Sequence, residues 1–231
     1  MADTLEVRVI ARIRSDFPTK FGIPRQSGLA ETVSEIVFEP EYRNESALRG
    51  IEDFSHLWLL WHFSESQQEG WSPTVRPPRL GGNRRMGVFA TRSPFRPSPV
   101  GLSSVKLLGK TKTPDRGTIL LVSGADLMDG TPILDIKPYL AYTDSHPDAA
   151  GGFSDAVRDK ALSVELPNEL RYGLAPETAS ALVSILAQDP RPSYQEDPER
   201  IYGFPFAGYE IRFRVRDGVL TVLSIVSAPD P

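Results

Sequence analysis

The segment from Arg84 to Lys106, RRMGVFATRSPFRPSPVGLSSVK, contains the side chains best suited to binding chemistry. Arg92 and Arg96 flank Phe95, and three prolines within six residues fix the surrounding backbone and remove three backbone donors. This pattern predicts a rigid extended loop rather than a helix or a paired central strand. Rigid loops that present arginine beside an aromatic ring suit the recognition of phosphates, carboxylates or flat rings.

Basic charge is concentrated around this loop. No acidic residue occurs between Glu69 and Asp115, although the whole chain has a net charge of −4. The interval holds these basic residues: Arg76, Arg79, Arg84, Arg85, Arg92, Arg96, Lys106, Lys110 and Lys112. A basic surface on an acidic protein indicates a polyanionic partner, and nucleic acid is the first candidate. The alternative is a set of solvated lysines and arginines on the exterior of a β-barrel.

Two other segments could hold a ligand. Gly22–Gln26, GIPRQ, places an arginine and an amide on a constrained backbone, although a surface connection explains it equally well. Gly124–Pro132, GADLMDGTP, is a turn whose aspartates either cap backbone donors or help to clamp a ligand. The strand predicted after this turn carries Asp135 and Lys137.

Several common active-site signatures are absent from the sequence. It has no glycine-rich dinucleotide fingerprint, no phosphate loop, no HExxH and no G-x-S-x-G elbow. Because there is no cysteine, disulfides, zinc thiolates and thiol nucleophiles are excluded. His56 and His62 have no third ligand at a recognisable spacing, so we predict structural histidines and no metal site.

The elements that position these segments are predicted to be mainly strands, because 21 prolines and 18 glycines disfavour a helical bundle. The apolar run His56–Phe63 is too short to cross a membrane and predicts a strand buried on both faces. Leu5–Arg14, Thr32–Phe38 and Val100–Val105 predict further strands, and Leu107–Arg116 predicts a charged turn. The N-terminus does not resemble a signal peptide, so a cytoplasmic protein is expected.

The composition changes at Tyr142–Phe153, which predicts a linker. Beyond it, Pro176–Gln188 predicts a helix with proline near its start. Tyr209–Val215 and Val219–Val226 predict strands that an Asp-Gly pair joins into a hairpin. We therefore predict a mainly β domain and a small αββ domain, at residues 1–150 and 151–231.

The longest motifs resemble those of a known enzyme family. MGVFATRSPFRPSPVGLSSVKL, followed by DGTPILDIKPYL, resembles the TrmO family of S-adenosylmethionine-dependent methyltransferases, which modify N6-threonylcarbamoyladenosine beside the tRNA anticodon. The segments GIPRQSGL, RGIEDFSHLWLLW, GWSPTVRPPRLGGNRRMGVFATR and LAQDPRPSY are also similar to this family, so the likeness spans most of the chain. Ser98 and Val100 stand where the family often has Asn and Ile.

The resemblance implies a fold, an assembly and a cofactor site. The fold would be a single-sheeted antiparallel β-barrel, followed by a small C-terminal helix-plus-hairpin domain, in place of a doubly wound α/β fold. The assembly would be a homodimer that binds S-adenosylmethionine near the subunit interface. The positions that match the family's cofactor contacts are Pro24, Arg25, Gln26, Arg92, Leu102, Asp126, Leu127, Met128 and Asp129, with a poorer local match at Ser64 and Glu65.

The implied reaction is methyl transfer to N6 of threonylcarbamoyladenosine in tRNA, which converts t6A to m6t6A. Because the leaving group is neutral, positioning should supply most of the acceleration. The target nitrogen is a poor nucleophile while protonated, and Asp126, Asp129 and Asp135 are the candidate bases, which the sequence does not rank. Arg92 is expected to pair with a carboxylate of the cofactor or of the threonyl group. The residues expected to contact tRNA are Arg84, Arg85, Arg96, Lys137 and Tyr139.

Three other functions fit the same residues. A β-barrel could bind a nucleotide-like ligand or S-adenosylmethionine without turnover and regulate a partner. A methyltransferase of this fold could act on another RNA base or on a small molecule. A plain RNA-binding module would use the basic segment without any cofactor. Cofactor titration and methyl incorporation into tRNA separate these alternatives.

Overall fold

The computed structural model describes residues 4–66, 71–77, 84–157, 161–191 and 197–228. Its strands are β1 (Ala11–Arg14), β2 (Val33–Phe38), β3 (His56–His62), β4 (Thr74–Val75), β5 (Met86–Gly87), β6 (Val100–Thr113), β7 (Gly117–Ser123), β8 (Pro132–Pro138), β9 (Ser163–Glu165), β10 (Tyr202–Phe206), β11 (Tyr209–Arg216) and β12 (Val219–Ser227). Its helices are α1 (Ala141–Asp144), α2 (Asn168–Arg171) and α3 (Pro176–Ala187). Short 3₁₀ turns include Ser64–Ser66 and Val88–Ala90. Within the described ranges, no helix is long and apolar enough to span a membrane.

Six strands form a ring in the order β1-β2-β7-β6-β3-β8, and β8 pairs in turn with β1. All pairings in the ring are antiparallel. Alternate apolar side chains fill its interior, including Ile13, Ile36, Leu59, Leu120 and Ile133, which have essentially no exposed surface. The prediction of a mainly β protein is confirmed.

Strand β3 has one face in the core of the ring. Leu57, Leu59 and Trp61 are buried, whereas Trp58 and Leu60 between them are only half-buried. The prediction that this run is buried on both faces is therefore wrong, because the outer face of the ring is only partly covered. Sequence could not show this, since the outward residues of the run are as apolar as the inward ones.

Strand β6 is longer than predicted, so the charged turn expected over Leu107–Arg116 is wrong for most of its length. The strand continues to Thr113 because it pairs with β7 as far as Gly117. Two lysines within it form ion pairs with glutamates, Lys110 with Glu52 at 2.7 Å and Lys112 with Glu45 at 2.8 Å. Backbone pairing rather than burial holds these charged residues in a strand.

The C-terminal part of the chain forms a four-stranded sheet, β10-β11-β12-β9, that shares an apolar core with α3. The predicted helix is confirmed, and so is the predicted hairpin, which turns at Asp217 and Gly218 with φ values of 50° and 78°. The module is larger than the predicted αββ unit, because β9 pairs with β12, β10 pairs with β11, and α2 precedes α3.

The segment between β1 and β2 connects the ring to this second core. Phe17 is fully buried there, and its ring centroid lies 5.4 Å from that of Phe206. Gly22 has a φ of 95°, and a Cβ at this position would lie 2.3 Å from the Phe204 ring. Only glycine therefore lets the segment lie this close to β10. The residues that follow Gly22 are thereby held against the C-terminal module.

Candidate functional site

A cavity of about 370 Å³ opens at one end of the ring. Because the strands are antiparallel, the end of β3, the start of β6 and the turn after β7 meet at this end. The segment between β1 and β2 and the proline-rich loop complete the wall. The lining residues are Lys20, Ile23, Pro24, Arg25, Gln26, Trp61, His62, Phe63, Ser64, Glu65, Ser66, Arg92, Pro94, Arg96, Val100, Gly101, Leu102, Asp126, Met128 and Thr131.

A chain of side-chain hydrogen bonds begins at the wall of this cavity. The Trp61 indole Nε1 donates to Ser103 Oγ at 3.0 Å, and Ser103 Oγ donates to Asp126 Oδ1 at 2.5 Å. The register of β3 against β6 places Trp61 opposite Gly101. A Cβ on Gly101 would lie 2.2 Å from the indole, so the packing of Trp61 requires glycine at this position.

Asp126 has an altered affinity for its proton. Burial raises the pKa of its carboxyl group, and this effect outweighs the opposing hydrogen bonds from Ser103 and from the backbone at Asp126 and Ser27, and the opposing charge of Arg92. The raised pKa of Asp126 is closer to neutral pH, and an acid–base group is most effective when its pKa is near the working pH.

Two arginines of the wall are held by different partners. Arg92 Nη1 donates to Gln26 Oε1, so the amide predicted from the GIPRQ segment orients the arginine of the proline-rich loop. Arg25 Nη2 donates to the backbone oxygens of Asp189 at 2.7 Å and Arg191 at 3.4 Å. Carbonyl groups just after α3 therefore hold an arginine of the cavity.

An ion pair stiffens the turn that supplies these carbonyls. Arg191 donates from Nε and Nη2 to the two carboxylate oxygens of Asp189, at 2.8 and 3.0 Å. The hydrogen bond to Asp189 raises the pKa of the Arg191 guanidinium. Asp189 itself has a φ of 51°, a left-handed conformation that aspartate tolerates better than most residues.

The structure brings most of the predicted cofactor residues into one wall, namely Pro24, Arg25, Gln26, Ser64, Glu65, Arg92, Leu102, Asp126 and Met128. It does not bring Leu127 and Asp129 there. Leu127 is 1% exposed and lies in the core of the ring. Asp129 Oδ1 accepts a hydrogen bond from the Ser15 backbone N–H at 3.0 Å, which is the capping role expected of aspartate in a turn. Burial and the charge of Asp129 raise the pKa of Asp16.

Three other predicted residues lie on or just after β8, away from the wall of this cavity. Asp135 and Lys137 form an ion pair at 2.7 Å, and the Tyr139 ring centroid lies 5.4 Å from that of Trp58. Lys137 borders a second cavity of about 350 Å³, lined by Trp58, Leu60, Leu102, Lys137, Thr143, Asp144 and His146. Leu102 therefore contributes to both cavities.

The arginines predicted to bind tRNA are in two places. Arg96 lines the first cavity and donates to the Thr91 backbone oxygen at 3.2 Å. Arg84 and Arg85 are exposed beside β5, where Arg85 Nη1 donates to Thr74 Oγ1 at 3.1 Å.

Comparison with known protein families settles the classification of the chain. The family described as the tRNA-methyltransferase O N-terminal domain matches residues 12–145, and the TrmO C-terminal domain matches residues 153–228. The chain belongs to the tRNA-methyltransferase O family. The resemblance found in the sequence is confirmed, and so is the prediction of an enzyme of the methyltransferase class.

Individual relatives of this TrmO-family protein match along nearly their whole length. A tRNA (adenine(37)-N6)-methyltransferase of Escherichia coli (strain K12) is 41% identical over 225 residues, covering 94% of this chain and 95% of that protein. The crystal structure of TrmO from Pseudomonas aeruginosa has a TM-score of 0.79 at 34% identity and covers 99% of both chains. A protein of Methanothermobacter thermautotrophicus named "Probable S-adenosyl-L-methionine-binding protein" is 38% identical over 141 residues, covering 61% of this chain and 94% of that protein.

Sequence reasoning missed several wall residues of this TrmO-family chain, among them Lys20, Trp61 and Phe63. One signal for Trp61 was present, because the small residues Gly101 and Ser103 alternate on β6 and leave room for a large ring on the paired strand. Lys20 gave no local signal, since its Nζ donates to the backbone oxygen of Glu65, 45 residues away.

Proposed function

We propose that this protein transfers a methyl group from S-adenosylmethionine to N6 of the adenosine at position 37 of tRNA. We also propose that this adenosine carries a threonylcarbamoyl group. The name of the Escherichia coli relative supports the position, and the motif resemblance supports the threonylcarbamoyl group. The observation that carries the proposal is a single cavity, in a TrmO-family chain, that unites Arg25, Arg92 and Asp126.

The cavity suits the proposed cofactor chemically. Its volume falls within the range of small-molecule sites, and its wall is partly apolar, with Ile23, Phe63 and Leu102 available to contact an adenine ring. The guanidinium groups of Arg25 and Arg92 match the cofactor's carboxylate. When bound, S-adenosylmethionine supplies an electrophilic methyl group on a sulfonium.

The hydrogen-bond chain prepares Asp126 to accept a proton. The Ser103 hydroxyl has one hydrogen, and because the Trp61 N–H occupies an acceptor site of Oγ, this hydrogen is directed at Asp126 Oδ1. Ser103 therefore orients the carboxylate, which also accepts from the backbone N–H groups of Asp126 and Ser27. A carboxylate has about four acceptor sites, so one is left for the N6 proton of the substrate. Of the three candidate aspartates, Asp126 is the one that lines the cavity, and we propose it as the general base.

Substitution of the proposed base tests this assignment. Asp126→Asn should lower kcat by about 10²- to 10⁴-fold, because the amide cannot take the proton. A base must be unprotonated, so wild-type kcat should rise with pH through the raised pKa of Asp126 and then level off, and the variant should lose this rise. Cofactor affinity, measured by calorimetry, should change little because the amide oxygen still accepts from Ser103.

Asp135→Asn is the comparison, because its carboxylate pairs with Lys137 away from the cavity wall. It should keep the wild-type pH profile. If Asp135→Asn abolished the rise with pH and Asp126→Asn did not, the assignment of the base would be wrong.

Two tRNA pools test the acceptor. One carries threonylcarbamoyladenosine, and the other comes from cells that cannot make it. Methyl label from S-adenosylmethionine should enter the first pool alone. Label in both pools would support a tRNA methyltransferase but reject threonylcarbamoyladenosine as its acceptor. Label in neither pool, with S-adenosylmethionine still bound, would indicate a binding protein without methyltransferase activity.

We infer that the ring is the family's single-sheeted β-barrel and that the protein has two domains, at residues 1–150 and 151–231. We also infer that the protein is a homodimer and that it acts on tRNA in the cytoplasm. Val100 and Leu102 support the dimer, because these apolar side chains border the cavity and remain 41% and 54% exposed. Sedimentation should give the mass of a dimer. If it gave the mass of a monomer at concentrations at which the enzyme is active, the proposed dimer would be rejected.

A further inference from the structure

Two exposed aromatic side chains that the cavity does not use flank the paired strands β4 and β5, one just before β4 and the other just after β5. Trp71 is 56% exposed and Phe89 is 73% exposed, and their ring centroids are 6.3 Å apart with an interplanar angle of 34°. We call these two rings the aromatic platform. Large aromatic side chains on a surface mark an interaction site when they occur together, since burying each contributes substantially to binding.

Backbone hydrogen bonds hold the aromatic platform in place. β4 pairs with β5 through two residues of each strand, and the Val88 backbone N–H donates to the Pro73 oxygen at 3.0 Å. Val88 is 1% exposed and anchors the turn from which Phe89 projects. The two rings are therefore held close together, and more than half of the surface of each residue is exposed.

Charge indicates the chemistry of the partner. Arg85 donates to Thr74 within the same hairpin, and Arg84 precedes it, both exposed. Among the described residues neither arginine forms an ion pair, in contrast to Lys110 and Lys112 on β6, which glutamates neutralise. Aromatic rings beside uncompensated arginines are the combination that binds single-stranded RNA, in which bases stack and phosphates pair with guanidinium groups.

We propose that the aromatic platform receives an unpaired base that flanks the target adenosine in the anticodon loop, with Arg84 and Arg85 on the adjoining phosphates. This proposal rests on the proposed tRNA substrate. The base stacks on an outer face of the pair, because a ring inserted between Trp71 and Phe89 would need about 7 Å and the centroids are 6.3 Å apart.

The platform lies within reach of the cavity. Phe89 precedes Arg92 of the cavity wall by three residues, which places their Cα atoms at most about 11 Å apart. A loop whose target nucleotide enters the cavity can therefore lay a neighbouring base on the platform. The platform would fix the register of the loop and so select which nucleotide enters.

Alanine substitutions test the platform. Trp71→Ala and Phe89→Ala should each raise the KM for tRNA carrying threonylcarbamoyladenosine by about 5- to 100-fold, the range found when a stacking ring is removed. The kcat at saturating tRNA and the calorimetric Kd for S-adenosylmethionine should stay within about threefold of wild type, since neither ring lines the cavity. Trp71→Phe and Phe89→Tyr should restore most of the affinity, because they keep a flat face.

The matched control is Tyr172→Ala, which removes another exposed ring, in the C-terminal module and outside the basic segment. Its KM should remain that of wild type. A second control uses stem-loops with an abasic site on either side of the target. One abasic site should raise the wild-type KM and have little further effect in Trp71→Ala, since interacting groups are not additive.

Three results would overturn the proposal. Both alanine variants could keep the wild-type KM, they could lose cofactor affinity in parallel with tRNA affinity, or they could dissociate a dimer, which would make the platform an interface between copies of the chain. Quenching of tryptophan fluorescence by an unmodified stem-loop, without cofactor, separates this proposal from the proposed reaction. If quenching required Trp71 but the protein methylated no tRNA, the platform would be supported and the proposed reaction rejected. If the protein methylated tRNA equally well without Trp71, the proposed reaction would be supported and the platform rejected.

Discussion

Arg92 of the cavity and Phe89 of the aromatic platform are three residues apart, yet their surroundings differ in kind. Arg92 is held by Gln26 in a wall that five segments build, and Asp126 in the same wall accepts a hydrogen bond from Ser103. Phe89 stands 73% exposed beside Trp71 on a ladder of two residue pairs. The cavity is suited to a rigid small molecule, which gains affinity when its partners are already in place.

The platform is suited to a partner that changes shape. A ring that stacks on a base imposes no sequence and few geometric requirements, so it can engage a flexible loop before the target nucleotide is positioned. The molecule thus has a preorganised cavity and, three residues away along the chain at Phe89, a stacking surface that accepts partners of different geometry.

The largest expected effect comes from replacing a glycine that packs against the cavity wall. Gly101→Val would place a side chain on the Trp61 indole, and overpacking of this kind costs about 1–3 kcal/mol of unfolding free energy. We expect cofactor binding to be lost, because Trp61 belongs to the cavity wall. Urea denaturation and calorimetric titration measure the two effects.

Gly87→Val is the matched control on the platform side, because a Cβ there meets nothing within 4 Å. It should leave stability and cofactor affinity near wild type. If Gly101→Val were equally mild, the cavity would be as adaptable as the platform and the comparison would fail.

A smaller effect is expected where the C-terminal module supports the cavity. Asp189→Asn removes the ion pair with Arg191 and frees the turn whose carbonyls accept from Arg25. Cofactor Kd should rise about tenfold, which corresponds to one charge-assisted hydrogen bond. Glu199→Gln, which affects longer pairs with Arg214 and Arg216 at 3.6 and 3.8 Å, should change nothing. Identical affinities in the two variants would show that the turn does not position Arg25.

The smallest effect belongs to the charge beside the platform. Arg85→Glu should weaken tRNA binding about fivefold and lower the salt dependence of log K by about one, without changing cofactor Kd. Lys112→Gln, whose wild-type side chain pairs with Glu45, is the control and should have no effect on either. Filter binding over a range of salt concentrations measures both slopes. A parallel loss of tRNA and cofactor affinity in Arg85→Glu would indicate misfolding rather than a lost phosphate contact.

Local signals in the sequence predicted local structure well. The Asp217-Gly218 hairpin, the start of α3 at Pro176 and the irregular proline-rich loop depend on neighbouring residues and were predictable from them. The candidate site was predictable only as a set of motifs. Asp126 and Asp129 are equivalent in sequence, and only the tertiary structure separates the acid in the cavity wall from the acid that caps Ser15. Arg25 is held by carbonyl groups more than 160 residues away in the sequence, so no local sequence signal could predict this contact.

The burial of Phe17 in the second core has a consequence for synthesis on the ribosome. Phe17 and Ala30 leave the exit tunnel early, but the core that covers them is completed by Val215, Leu220 and Val222. The connection between them, which carries the cavity residues Pro24 and Gln26, therefore cannot reach its final position until β12 has been translated. A nascent chain that stalls before β12 keeps an apolar segment uncovered beside an otherwise complete ring, so the binding site becomes competent only after β12 has been translated.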